Sequence, residues 1–327
     1  MSARALAALL LLAGCTGSLD TSGRVHDLRM LGLRAEPPEV TLAAAFLPDG
    51  SIVGRPLPPL PPITLTGLIA DPAGAGREVA YTFSTCHQRD ADTSRCLESS
   101  PGYRELGSGT VVPAALGAEP SVTFTPTYAD LSGALKVDPY HGFGGLPVFT
   151  QLEIHAGDEA VVGEKRVVFT ASLQPLPPAN RNPAIAGITF ADAPWGESDV
   201  AAFNGQVERG LRGATVSSDN PVHVLPDASL IEEYDRPTLD GSDPVHFTET
   251  WRYAFFTTMG SFSPATTGGN DGPPIGGGDE NGARTRWVPD LDEPGGPVTV
   301  WVVIRDGRGG ESWVVRQATA PSLPSSP

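Results

Sequence analysis

Cysteines, histidines and acidic runs are the residues of this chain with chemistry to offer. Cys86 and Cys96 enclose His87-Gln88-Arg89-Asp90-Ala91-Asp92-Thr93-Ser94-Arg95, a polar excursion with no core of its own. An even pair of thiols in an oxidising compartment reads as a disulfide. The rival is a Cys/His metal site through His87, but the sequence holds no second ligand pair with zinc spacing. Asp240-Gly241-Ser242-Asp243, Asp279-Glu280-Asn281 and Asp290-Leu291-Asp292-Glu293 put hard oxygen ligands on loops. Asp240, Asp243, Asp290 and Asp292 are thus candidates for structural calcium. None of these runs matches the EF-hand loop, and a solvated acidic loop is the alternative. Gly-x-Ser-x-Gly, His-Glu-x-x-His, the Walker loop and Gly-x-Gly-x-x-Gly are all missing. The histidines, at 26, 87, 141, 155, 223 and 246, are dispersed. No catalytic residue is assigned, and calcium is the only cofactor the sequence suggests.

The remaining cysteine, Cys15, sits behind Arg4 and the apolar run Ala5-Leu6-Ala7-Ala8-Leu9-Leu10-Leu11, the positive flank and core of a secretory signal. Leu12-Ala13-Gly14-Cys15 resembles the lipobox of bacterial lipoproteins. That resemblance implies cleavage before Cys15 and acylation of its thiol and new amine. An ordinary signal peptide with a chance cysteine, or a short apolar core segment, is the plainer reading. Thr16 in place of aspartate implies, by the same resemblance, sorting to the outer membrane. The first 14 residues are too short to span a bilayer. The formal charge of −16 becomes −17 once Arg4 leaves with the signal. Such a field repels phosphate backbones and argues against nucleic acid as a partner. It also argues against charge-driven docking on anionic lipid, so attachment falls to acyl chains, at roughly 0.8 kcal/mol per buried methylene.

The elements that would position these residues are short strands. Ile63-Thr64-Leu65-Thr66-Gly67-Leu68-Ile69 and Val79-Ala80-Tyr81-Thr82-Phe83 alternate with period two. In the second half, Phe247–Phe255 places Trp251, Tyr253 and Phe255 on one face. Val298–Ile304 is apolar on both faces, as a central sandwich strand would be. Asp306-Gly307-Arg308-Gly309-Gly310 reads as a hairpin turn. No amphipathic helix is evident in the first half. Between the halves, Leu173–Pro183 is rich in proline and reads as a semi-rigid linker. Arg55–Pro62 has the spacing of a polyproline II ligand, with a stiff loop the favoured reading. Trp251, Trp301 and Trp313 read as core. Trp195, on a loop, is the better candidate for surface recognition, against a lid packed over a sandwich end.

Leu31-Gly32-Leu33-Arg34-Ala35-Glu36-Pro37-Pro38-Glu39-Val40, Asn180-Arg181-Asn182-Pro183, Thr258-Met259-Gly260-Ser261-Phe262-Ser263 and Val303-Ile304-Arg305-Asp306-Gly307-Arg308-Gly309-Gly310 together resemble an uncharacterised lipoprotein family of myxobacteria and their relatives. The last run, ending in Trp313, is also similar to the final hairpin of bacterial Ig-like and cadherin-like repeats. These likenesses imply tandem Ig-like domains and an envelope location, and carry no activity. The expected fold is all-β: two Ig-like β-sandwich domains in tandem after a lipoprotein signal peptide. The expected segments are a signal (1–14), a flexible tether (15–25), a first sandwich (26–174), a Pro-rich linker (175–183), a second sandwich (184–318) and a disordered tail (319–327). The function these features suggest is non-catalytic: a structural or adhesion module displayed from the outer membrane. Its partners would be the membrane, through the lipid, and an envelope protein or polysaccharide. An envelope hydrolase or a carbohydrate-binding accessory protein is the alternative.

Overall fold

Every second side chain of Ile63-Thr64-Leu65-Thr66 is fully buried, so this segment lies with one face on a core, as its alternation demands. The structure, a computed structural model, describes residues 23–54, 56–173, 177–204, 207–210, 213–216, 220–236, 238, 242–268, 283–290 and 293–322. The first sandwich contains β1 (Arg29–Glu36), β2 (Glu39–Leu42), β3 (Ala45–Phe46), β4 (Ile52–Val53), β5 (Ile63–Ala70), β6 (Val79–Cys86), β7 (Arg104–Val111), β8 (Ser121–Phe124), β9 (Leu146–Ala156) and β10 (Glu159–Ala171). One sheet has the order β1-β5-β8 and faces a second of order β2-β10-β9-β6-β7. Its first strand is split at Glu36-Pro37-Pro38: β1 pairs antiparallel with β5, and β2 crosses to run parallel to the last strand, β10. Prolines cannot donate to a ladder, so the chain must leave the first sheet there.

The second sandwich repeats this plan. It contains β11 (Ile185–Phe190), β12 (Ala193–Pro194), β13 (Val200–Ala202), β14 (Val207–Gly210), β15 (Gly213–Val216), β16 (Pro221–Pro226), β17 (Glu233–Arg236), β18 (Val245–Thr248), β19 (Arg252–Thr257), β20 (Ser261–Ser263), β21 (Thr266–Gly268), β22 (Arg284–Val288), β23 (Gly296–Arg305) and β24 (Glu311–Ala320). Sheets β12-β11-β16-β22-β20 and β13-β24-β23-β19-β21 face each other, and β13 runs parallel to β24. In both units two sheets joined by crossing connections enclose one core, which is the Ig-like sandwich the sequence suggests.

Several expectations need correction. The first half does contain a helix, α1 (Tyr128–Val137), which buries Leu131, Ala134 and Leu135. Its signal was the capping box: the Thr127 hydroxyl accepts from the Asp130 N–H, and the Asp130 carboxylate accepts from the Thr127 N–H. The segment read as one strand from Phe247 to Phe255 is broken, with β18 in a separate hairpin with β17 and β19 in the sandwich. Trp251, Tyr253 and Phe255 do share a buried face. The last strand runs to Ala320, two residues beyond the expected domain end; residues 323–327 of the expected tail lie outside the described residues. The tether ends sooner than expected. Gly23 and Val25 exchange backbone hydrogen bonds with Thr257, and Val25 is fully buried.

The largest departure is at β23. Val298, Val300, Val302 and Ile304 face their own core, while Trp301 and Val303 join Val25, Leu31, Leu68 and Ala70 in a separate cluster between the sandwiches. A strand whose outer face meets solvent alternates apolar and polar. The two-sided apolarity of β23 therefore reflects the docking of one sandwich on the other.

Candidate functional site

Two places concentrate polar chemistry. The first is the junction of the sandwiches, where the β23–β24 turn meets the segment leading into the second domain. Asp306 is buried there, and its Oδ1 accepts from the N–H groups of Arg308, Gly309 and Gly310 at 2.7, 3.0 and 2.9 Å. Gly307 and Gly309 supply the positive φ this turn requires, 79° and 117°. Asp306 Oδ2 accepts from Asn180 Nδ2 at 2.9 Å. Asn182 donates to the Ala35 carbonyl and the Glu36 carboxylate, and its Oδ1 accepts from the Glu311 N–H. Asn180 and Asn182 are thus not spacer residues: the C-terminal part of the linker is built into the interface.

The folded turn aims Arg308 at three carboxylates. Its Nη2 lies 3.0 Å from Glu39, and its Nη1 lies 3.0 Å from Glu232 and 3.2 Å from Glu249. The guanidinium sits 4.2 Å from the Tyr234 ring centroid. Only 10% of the Arg308 side chain and 1% of the Glu249 side chain are exposed. Burial raises the Glu249 carboxyl above the ordinary carboxylate range, opposed by a hydrogen bond from Trp251 and by the charge of Arg308. At the same interface, Lys165 of β10 meets Glu311 of β24 at 3.2 Å, with 8% and 7% of these side chains exposed. Arg305 holds the other Glu311 oxygen at 2.9 Å. Burial pushes the Lys165 ammonium below its ordinary pKa, against the pull of Glu311. This arrangement can clamp two domains.

The second place is a groove at the end of the first sandwich, between the 87–95 loop and the C-terminal end of α1. The disulfide is formed as expected: Cys86 and Cys96 are bridged with Cα atoms 5.6 Å apart. The Cys96 N–H also donates to Gln151. The groove has a volume of about 340 Å³ and is lined in part by Val137, Pro139 and Phe149. Arg89 stacks 4.7 Å from the Phe149 centroid and reaches Glu164 at 2.6 Å. Beside the groove, Tyr140 and Phe143 are 62% and 43% exposed. His87 and Ser94 line it too, and Asp130 lies 3.9 Å from His87 Nε2. That nitrogen is enclosed without a hydrogen-bond partner, and Gly102 and Gly133 press on the ring with no space for a Cβ. Replacing both Cys86 and Cys96 by alanine is expected to cost about 2–3 kcal/mol. Urea unfolding reads this as a lower midpoint with a largely retained slope.

The sequence-derived candidates fare unequally. Cys15 lies outside the described residues, as do Asp240 and Asp292. Asp243 is exposed, and Asp290 is paired with Arg24 at 3.0 Å. Among the described residues no three His, Cys, Asp or Glu side chains gather as metal ligands. At the junction the convergent carboxylates are instead matched by Arg308. Trp195 is not a surface residue: it is 3% exposed, donates to the Gln317 carbonyl at 3.1 Å and packs on Phe190 and Phe203. Trp251 and Trp301 are buried as core residues should be, and Trp313 is half-buried under Arg34. The polyproline segment is a loop whose Pro58 carbonyl accepts from Tyr128 at 2.6 Å; Arg55 lies outside the described residues.

No family model matches the chain, and no curated protein matches it. Among solved structures it is similar to dimeric latent PorU from Porphyromonas gingivalis, at 9% identity and a TM-score of 0.21, covering 93% of this chain. It spans a quarter (25%) of that PorU chain. It is also similar to a chimeric titin Z1Z2 carrying a peptide from decorin, at 10% identity and a TM-score of 0.20, covering 91% of this chain and 98% of that one. The third is the pair of tandem V-type regions of VCBP3, a v-region-containing chitin binding protein, at 12% identity and a TM-score of 0.22, covering 90% and 100%. At these TM-scores none of the likenesses bears on function.

Proposed function

We propose that this chain is a lipid-anchored cell-envelope protein of the outer membrane, with a structural or adhesive role and no catalysis. The observation that supports it best is the seating of Gly23–Val25 in the body. It leaves a short leash between Cys15 and two sandwiches clamped into one unit, a form suited to holding loops at a fixed distance from a surface. The test is Cys15→Ser: membranes washed with carbonate are expected to retain the wild type and release the variant. Full retention of the variant would sink the anchor.

The groove beside Tyr140 and Phe143 supports a second reading, a carbohydrate-binding accessory protein, since apolar lining with a few polar groups suits small ligands. Calorimetric titration of neutral oligosaccharides into the form lacking residues 1–15 is expected to show saturable heat under this reading, which Tyr140→Ala weakens. Wild-type protein giving no saturable heat rules this reading out.

A further inference from the structure

The fold has two distinct ends, and the chain enters at only one of them. Val25 donates to the Thr257 carbonyl at 2.9 Å, and the Gly23 carbonyl accepts from Thr257 at 2.8 Å. A Cβ at Gly23 would lie 2.7 Å from the Phe255 carbonyl oxygen, so the backbone approaches as closely as glycine permits. Arg24 is fastened to Asp290 at 3.0 Å and also paired with Glu293. The same end carries the turn at Ala114–Gly117, tied across by Thr299 to the Ala115 carbonyl and by Trp301 to the Leu116 carbonyl, each at 2.9 Å. Val112 and Leu116 expose 53% and 44% of their surface there.

Strands β19 and β23 lead from this end to the other. Thr257, which bonds Gly23 and Val25, pairs with Val300 of β23, and β23 finishes five residues on at Arg305, next to the Asp306–Arg308 clamp, about 17 Å away. At that far end lie the Cys86–Cys96 loop, the groove, Tyr140 and Phe143. The β17–β18 hairpin is rooted there as well, because Glu232 and Glu249 flank it and both hold Arg308.

We propose that the Gly23–Val25 end, with Val112 and Leu116, is the membrane-facing surface, and that the groove and the β17–β18 hairpin form the presented end. The proposal rests on acylation of Cys15. Eight residue steps separate Cys15 from Gly23, so a fully extended leash reaches about 27 Å. The acyl chains thus hold the near end within that distance of the bilayer. A body of charge near −17 is repelled by an anionic leaflet, which disfavours lying flat. The exposed valine and leucine are the apolar side chains that the near end brings to the lipid.

The test uses the full acylated chain in vesicles of phosphatidylethanolamine and phosphatidylglycerol with a headgroup-linked energy acceptor. Donor dyes are placed singly through Leu116→Cys, Val112→Cys, Tyr140→Cys and Phe247→Cys. Severalfold stronger transfer from positions 116 and 112 than from 140 and 247 supports the orientation. Equal or reversed transfer, in protein that floats with the vesicles, overturns the orientation and leaves the anchor intact. Acylated protein that fails to float overturns the anchor and the orientation together. Two sites at each end guard against one variant failing to fold.

Discussion

Arg308→Ala is expected to lower the stability of the protein by about 3–5 kcal/mol at neutral pH, the cost typical of removing one partner from a buried ionic cluster. The loss is large because Glu39, Glu232 and Glu249 all point at this guanidinium, and Glu249 is almost fully enclosed. Removing the arginine leaves three carboxylates facing one another, and among the described residues the cation still paired with them is Arg181, at the edge, 2.7 Å from Glu232. The pH dependence has a definite sign. Burial already raises the Glu249 carboxyl, and losing Arg308 raises it further. Between the unfolded carboxylate pKa and that raised value the folded state binds more protons, so stability falls as pH rises through this window. The deficit of the variant is therefore expected to shrink on acidification from pH 7 toward 5. Urea unfolding at the two pH values checks it, and a deficit that stays constant or grows on acidification refutes the account. Arg308→Lys is expected to recover only part of the loss, because a single ammonium cannot span three carboxylates and stack on Tyr234.

The sequence shows the parts of this cluster without showing that they meet. Glu36-Pro37-Pro38-Glu39, Asn180-Arg181-Asn182 and Asp306–Gly310 stand out in the chain, yet Arg308 and Glu39 are 269 residues apart and no local spacing links them. Strands were legible because a half-buried face imposes a period of two, and the disulfide because two cysteines flank a polar excursion with no core of its own. The helix was hidden by its brevity and by Gly133 within it, although Thr127 and Asp130 marked its start. The docking of the sandwiches did leave a local trace. Trp301 and Val303 lie on the face of β23 that solvent would otherwise meet, and two apolar residues there call for a covering surface. A single sandwich with a buried central strand accounts for the same pattern, so the trace alone does not choose between them. Cys15 is legible only as a sequence, since it lies outside the described residues.

The second cluster of the junction separates what an ion pair contributes from what it costs to break. Glu311→Gln strands the Lys165 ammonium, with 8% of its side chain exposed, in a buried interface. The expected loss is about 3 kcal/mol or more, because a buried charge without its partner retains its desolvation penalty. Burial already depresses the Lys165 pKa, and losing Glu311 depresses it further. Between that lowered value and the ordinary lysine pKa the unfolded chain binds more protons than the folded one. Stability of Glu311→Gln relative to wild type therefore improves as pH rises from 7 toward 9.5, opposite in sign to the Arg308→Ala case. The double variant Lys165→Met with Glu311→Gln removes the stranded charge and is expected to regain most of the loss, leaving the Arg305 guanidinium to its solvent-exposed side. A double-mutant cycle by urea unfolding measures the coupling. A double variant no more stable than Glu311→Gln alone would show that the Glu311 side chain acts through Arg305, and that Lys165 contributes nothing to the clamp.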